Sequence, residues 1–162
     1  LSLTGKNRQL SFIFTDIAGF TTLSEQIAPE RLSELLNAYL EGMCDIIQSY
    51  QGVVDKFIGD SVMCFFNAPL DQPDHADRAI ACALALDQFA ENFRKQIKQQ
   101  GLDLGVTRIG IHSGQAVVGN FGSTARMDFT ALGDTVNAAS RTEGVNKYFG
   151  TRLCVTEATL AR

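Results

Sequence analysis

Apolar residues recur along this chain in two rhythms, and each change of rhythm marks an element. Residues 9–17 alternate, with Leu10, Phe12 and Phe14 on one side, which predicts a strand running out into Asp16-Ile17-Ala18-Gly19. Thr21 or Thr22 is placed to cap a short helix after Phe20. Pro29 then opens a longer helix, in which Leu32, Leu36, Tyr39, Met43 and Ile47 recur at three- and four-residue steps down to Gly52. Val53–Ile58 and Ser61–Phe66 flank Gly59-Asp60, the form of a two-residue hairpin. After a proline-bearing loop, Asp74 starts a second long helix with Ala79, Cys82, Ala83, Leu86, Phe89 and Phe93 along one side.

Val106–Ser113 and Gln115–Phe121 read as another hairpin, turning at Gly114. Thr130–Leu132 is short and extended, and Asp134 or Thr135 is placed to cap a helix reaching about Tyr148. A last strand, Arg152–Thr156, precedes a stub of helix. Helices interleaved with hairpins predict an α+β fold: a mixed, largely antiparallel sheet with helices packed mainly on one face. The 162 residues make one domain, 1–162, with no internal repeat or linker.

Composition narrows the function. A net charge of −4 with no Lys/Arg run disfavours nucleic acid as a partner. No apolar run reaches the roughly 18–20 residues of a membrane span, and the N-terminal residues lack a signal-peptide core, so a cytoplasmic location is expected. The first residue is not Met, so the chain is expected to be a fragment of a longer protein whose regulatory or membrane parts lie elsewhere. The four cysteines, Cys44, Cys64, Cys82 and Cys154, lack metal-ligand spacing and read as small core residues.

The candidate chemistry begins with Asp16 and Asp60, two carboxylates that each follow an apolar strand at a glycine turn. Carboxylates at neighbouring strand ends suit Mg²⁺, which takes one or two of them plus substrate phosphates; the plain alternative is a pair of ordinary turn residues. Asn137 and Arg141, four apart on one helix, share a face, either for a ligand or for solvent. Alternation places Arg108, Gly110 and His112 on one face of their strand. Arg108 there is either an anion-binding group or an exposed strand residue, and His112 reads as structural. Lys56 precedes Asp60 by four residues on the hairpin. His75 reads as a surface residue.

These residues also carry a resemblance. Phe-Thr-Asp-Ile-Ala-Gly-Phe-Thr, Asp-Lys-Phe-Ile-Gly-Asp-Ser-Val-Met, Arg-Ile-Gly-Ile-His-Ser-Gly and Asp-Phe-Thr-Ala-Leu-Gly-Asp-Thr-Val-Asn-Ala-Ala-Ser-Arg resemble, in order across residues 10–156, class III nucleotidyl cyclase catalytic domains. The resemblance implies a ferredoxin-like, palm-type sheet and an adenylate cyclase that converts ATP to 3′,5′-cyclic AMP and pyrophosphate. It implies that Asp16, Asp60 and the carbonyl of Ile17 bind two Mg²⁺ or Mn²⁺ ions, and that Arg108 binds phosphate. Asn137 would orient the ribose, Arg141 would steady the α-phosphate, and Lys56 with Thr130 would select the base. The site is expected to lie across a head-to-tail homodimer, with Asp16, Asp60 and Arg108 from one chain and Lys56, Thr130, Asn137 and Arg141 from the other. A terminal-phosphate lysine that the family usually carries after the last strand is expected to lie beyond Arg162.

Lys donates only, whereas a Thr hydroxyl can accept, so Lys56 and Thr130 match adenine N1 and its 6-amino group. A guanylate cyclase, a catalytically silent nucleotide-binding or dimerisation module, and a polymerase-like nucleotidyltransferase are the rival readings.

Overall fold

A computed structural model describes residues 5–161; Leu1–Thr4, where the N-terminal reading above begins, and Arg162 lie outside the described residues. Strand β1 (Lys6–Ile17) is the middle of the sheet, and both of its faces are buried. Leu10, Phe12 and Ile13 are fully enclosed, which is the pattern of a strand covered from two sides. A short helix α1 (Phe20–Ser24) and a long helix α2 (Pro29–Ser49) follow. Gly19, left-handed at φ 69°, stands at the start of α1, so backbone geometry rather than a Thr21 or Thr22 side chain sets that end.

Strands β2 (Val53–Ile58) and β3 (Ser61–Phe66) form the expected hairpin, with Gly59 at φ +60° and Ile58 opposite Ser61. Helix α3 (His75–Gln99) leads to β4 (Thr107–Gly122), β5 (Met127–Leu132), α4 (Asp134–Phe149), β6 (Leu153–Val155) and α5 (Glu157–Leu160). Among the described residues the sheet has six strands in the order β2-β3-β1-β4-β5, antiparallel throughout, with β6 parallel to β4. The sheet is therefore mixed and mostly antiparallel.

The hairpin expected at Gly114 does not exist. β4 is one continuous strand, paired with β1 without a break from Ile17↔Thr107 to Lys6↔Val118. Gly114 is needed for close approach instead: a Cβ there would lie 2.8 Å from the Thr135 side chain, whose hydroxyl donates to the Gln115 carbonyl. Thr135 is thus spent on β4, and neither it nor Asp134 caps α4, which starts after Gly133 at φ 133°.

Helices α2 and α3 cover one face. Leu35, Tyr39, Met43 and Ile47 of α2 and Ala79, Cys82, Ala83 and Leu86 of α3 pack on Ile13, Ile17, Ile109 and Ile111. Helix α4 crosses the opposite face of β4. A Cβ on Gly110 would come within 2.2 Å of the Glu143 backbone nitrogen, so only glycine lets the helix backbone lie on the strand. Cys64 and Cys82 are core residues, Cys44 and Cys154 are half-buried, and all four are free thiols.

His75 is not a surface residue. The first turn of α3 tucks it into the core, where Nδ1 meets the Ser11 hydroxyl at 2.6 Å, and Ser11 in turn meets the Ser113 hydroxyl at 2.7 Å. A buried polar ring is tolerated because it is hydrogen-bonded. No helix among the described residues is long and apolar enough to cross a membrane.

The sheet is strongly curled. β2 and β5 lie at opposite ends of the strand order, yet Phe65 of β3 packs against Phe129 of β5, the rings tilted and their centroids 5.9 Å apart. Leu10, Phe12, Met63, Phe65, Val118 and Ala131 fill the hollow as a second, smaller core.

Candidate active site

The structure divides the predicted site residues into three groups. The first forms at the ends of β1 and β4. Asp16 lies directly across the ladder from Arg108, and the Arg108 Nε donates to its Oδ1 at 3.1 Å. Asp60, in the hairpin turn, accepts the Ile17 backbone N–H at 2.7 Å through Oδ2. That bond ties the β2–β3 turn to the end of β1 and brings both aspartates beside the Ile17 peptide.

The electrostatics of this group are those of crowded negative charge. Burial raises the Asp60 carboxyl above the ordinary carboxylate range, against the backbone N–H donors that lower it; the Asp16 charge adds to the rise. A third acid, Glu143, is packed against them from α4. Burial pushes its carboxyl up to about 8, and the neighbouring Asp16 charge pushes the same way. The Arg108 charge offsets this only in part: its Nε lies 3.8 Å from Glu143 Oε2, an ion pair too long for a hydrogen bond, and that oxygen has no hydrogen-bond partner.

Oxygen donors that oppose one another's ionisation suit a hard cation, which would offset the charge. Among the described residues no set of three or more His, Cys, Asp or Glu side chains is arranged to hold a metal ion by itself. Asp16, Asp60 and the Ile17 carbonyl would need substrate oxygens to complete a shell, which is the usual arrangement for Mg²⁺. Glu143 was missed in the sequence, although its spacing of four from the buried Ala139 puts it on the face of α4 that meets the sheet. At Gly110, on the same strand face as Arg108, the α4 backbone fills the space a side chain would take.

The second group lies elsewhere. Lys56 and Thr130 line a cleft of about 380 Å³ together with Asp55, Phe57, Arg126 and Asp128. The two come from opposite ends of the strand order and meet because the sheet curls. Neither Asp16 nor Asp60 lines this cleft.

Asn137 and Arg141 form the third group, on the exposed side of α4. Among the described residues no hydrogen bond or ion pair joins either of them to Asp16, Asp60 or Arg108. The charge of Arg141 instead reaches His112, whose imidazole is held below its ordinary value first by burial and then by that guanidinium. His112 also hydrogen-bonds the Thr156 hydroxyl at 2.8 Å, which supports its structural reading.

A depressed histidine contributes stability that is complete above its ordinary value and is lost as pH falls below it, because the unfolded chain then takes up the proton first. NMR titration of the His112 ring should therefore give a midpoint below the ordinary value of about 6.5. Arg141→Ala should move it partway back up, since burial remains. An unmoved midpoint would mean that Arg141 does not lie against His112.

Comparison with known proteins identifies the family. Residues 4–161 match the family model described as the adenylate and guanylate cyclase catalytic domain. Adenylate cyclase 1 of Rhizobium meliloti is 41% identical over 155 residues, covering 96% of this chain and 23% of that protein. An adenylate cyclase of Anabaena cylindrica is 40% identical over 152 residues, covering 93% of this chain and 30% of its own length. The chain thus spans less than a third of either relative. The crystal structure of the adenylyl cyclase CyaB from P. aeruginosa superposes with a TM-score of 0.90 at 37% identity, over 98% of this chain and 82% of that one. The guanylyl cyclase Cya2 gives 0.89 at 34%, over 98% and 79%. With residues 4–161 matched by the family model and the fold superposing over 98% of the chain, the chain belongs to the adenylate and guanylate cyclase catalytic domain family.

Proposed function

We propose that this domain is an adenylate cyclase, converting ATP to 3′,5′-cyclic AMP and pyrophosphate at sites shared between two copies of the chain. The observation that carries the reading is the separation of the residue groups. The acidic pair with Arg108 stands at one end of the sheet, and the Lys56–Thr130 cleft and the exposed Asn137 and Arg141 lie apart from it. A single chain therefore offers complementary halves, and a head-to-tail pairing would join unlike halves. Exposed apolar side chains such as Ile58, Tyr148 and Phe149 support a surface that meets a partner.

In this reading Asp16, Asp60 and the Ile17 carbonyl hold the divalent cations, Mg²⁺ or Mn²⁺. Bound there, such cations supply Lewis acidity toward the 3′-hydroxyl and the triphosphate. Arg108 pairs with phosphate oxygens beside Asp16. The partner's Lys56 donates to adenine N1, and Thr130 accepts from the 6-amino group. Asn137 hydrogen-bonds the ribose and sets the 3′-oxygen in line with the α-phosphorus. As that oxygen gives up its proton to water and attacks, the bond from the α-phosphorus to the bridging oxygen breaks and pyrophosphate leaves with the electron pair. Arg141 stabilises the charge that builds on the α-phosphate oxygens.

The likeness to a guanylyl cyclase structure keeps that activity as the second reading, and the base pair of residues decides between them. Guanine sets its N1–H against the Lys56 ammonium, a donor facing a donor, and no acidic residue at position 56 receives it. The test is to supply the domain with ATP or GTP and Mn²⁺ and to identify the products by mass spectrometry. Cyclic AMP formed in excess of cyclic GMP is expected. Cyclic GMP as the main product would establish the second reading, and no cyclic product from either would leave a silent nucleotide-binding module.

A further inference from the structure

The cleft that holds Lys56 and Thr130 also holds Asp55, the first residue of the Asp-Lys-Phe-Ile-Gly-Asp motif, to which the sequence alone assigns no role. The Asp55 side chain is only 1% exposed although it lies on an edge strand. Its Oδ2 accepts the Thr130 hydroxyl proton at 2.6 Å, and its Oδ1 stands 3.9 Å from the Lys56 ammonium.

This placement has a local cause. Consecutive strand residues normally point to opposite faces. Here the β2–β3 register shifts between Val54↔Cys64 and Lys56↔Met63, leaving Asp55 as a bulge without a cross-strand partner. A bulge re-aims a side chain, and it lets Asp55 and Lys56 line the same cleft. The Asp55–Thr130 bond then spans the two ends of the strand order where the curled sheet brings them together.

The chemical consequence concerns direction. A Thr hydroxyl carries one proton and two lone pairs, so an unrestrained hydroxyl reads donors and acceptors alike. A carboxylate at 2.6 Å takes the proton, and what Thr130 then offers a ligand is lone pairs alone. The same carboxylate draws the Lys56 ammonium toward the cleft. We infer that Asp55 is a specificity-determining positioning residue, which makes Thr130 an obligate acceptor and so selects a purine bearing a 6-amino group. The inference rests on the proposed adenine-reading role of Lys56 and Thr130.

The experiment compares ATP with purine riboside triphosphate, which keeps the N1 acceptor but has hydrogen in place of the 6-amino group. Wild type should prefer ATP. Asp55→Ala frees the Thr130 hydroxyl. Asp55→Asn, nearly the same shape, replaces a fixed acceptor with a group that can also donate, and it guards against a folding defect in the alanine variant. Both variants should lower kcat/KM for ATP about fivefold to tenfold while leaving the analogue within about twofold, the scale expected for one misdirected hydrogen bond. Thr130→Val should show the same substrate-dependent loss, and adding Asp55→Ala to it should bring no further loss of preference.

Equal losses on both nucleotides would mark Asp55 as merely structural and overturn the inference, as would an unchanged preference for ATP in both Asp55 variants. A wild type that treats the two nucleotides alike would remove the base-reading role of Thr130 itself, and the inference with it. Those results separate a failure of Asp55 from a failure of the underlying reading.

Discussion

Asp60→Ala should lose cyclisation by about a thousandfold or more, because removing one preorganised charge partner commonly costs two to three orders of magnitude and here a whole ion site would go. The fold should survive. Asp60 contributes one hydrogen bond to the Ile17 N–H, worth about 1 kcal/mol, while its half-buried carboxylate is opposed by burial and by Asp16. Those terms act in opposite directions, so the melting temperature of the metal-free variant should stay close to that of wild type. A readout independent of turnover is the response to Mn²⁺. Wild type should be stabilised by added ion through mass action, and Asp60→Ala should not. Activity within tenfold of wild type, together with an intact Mn²⁺ shift, would remove Asp60 from the cation site.

Much of this fold was legible because its elements obey simple periods. The α2 stripe of Tyr39, Met43 and Ile47 and the α3 stripe of Ala79, Cys82, Ala83 and Leu86 are the buried faces that three- and four-residue spacing predicts. The β2–β3 hairpin followed from Gly59-Asp60. The failures came where a residue's local meaning and its tertiary use diverge. Gly114 has the local signature of a turn, yet it serves the approach of α4 to an unbroken strand. His75 stands in a polar first turn, and only its tertiary contact with Ser11 makes it a core residue.

The same divergence explains what was missed at the site. Asp16, Asp60, Arg108, Asn137 and Arg141 lie in motifs that stand out along the chain. Asp55 opens one of those motifs too, but its role, like that of Glu143, comes from packing: Glu143 from a helix laid on Gly110, Asp55 from a bulge that breaks the period of two. Neither signal is visible until the register and the helix placement are known. Both acids nonetheless touch residues that the motifs had named, Asp16 and Thr130.

Mixing two nearly inactive variants should restore activity, and this is the stricter demand of the shared-site reading. Asp16→Ala removes a cation ligand at the end of β1, whereas Arg141→Ala removes a guanidinium exposed on α4. Each alone should be nearly dead, since one lacks the ion site and the other the group that stabilises charge on the α-phosphate. If a site takes its acids from one chain and Arg141 from the other, a mixed dimer holds one site with both lesions and one with neither. Random pairing makes about half of the dimers mixed, so the mixture should recover about a quarter of wild-type sites. Specific activity of wild type should also rise with protein concentration until the dimer saturates, because a monomer would hold only half-sites. Mixed dimers shown to form yet lacking activity would put Asp16 and Arg141 to work on the same nucleotide within one chain, which would require α4 to move from where it now holds Arg141 beside His112.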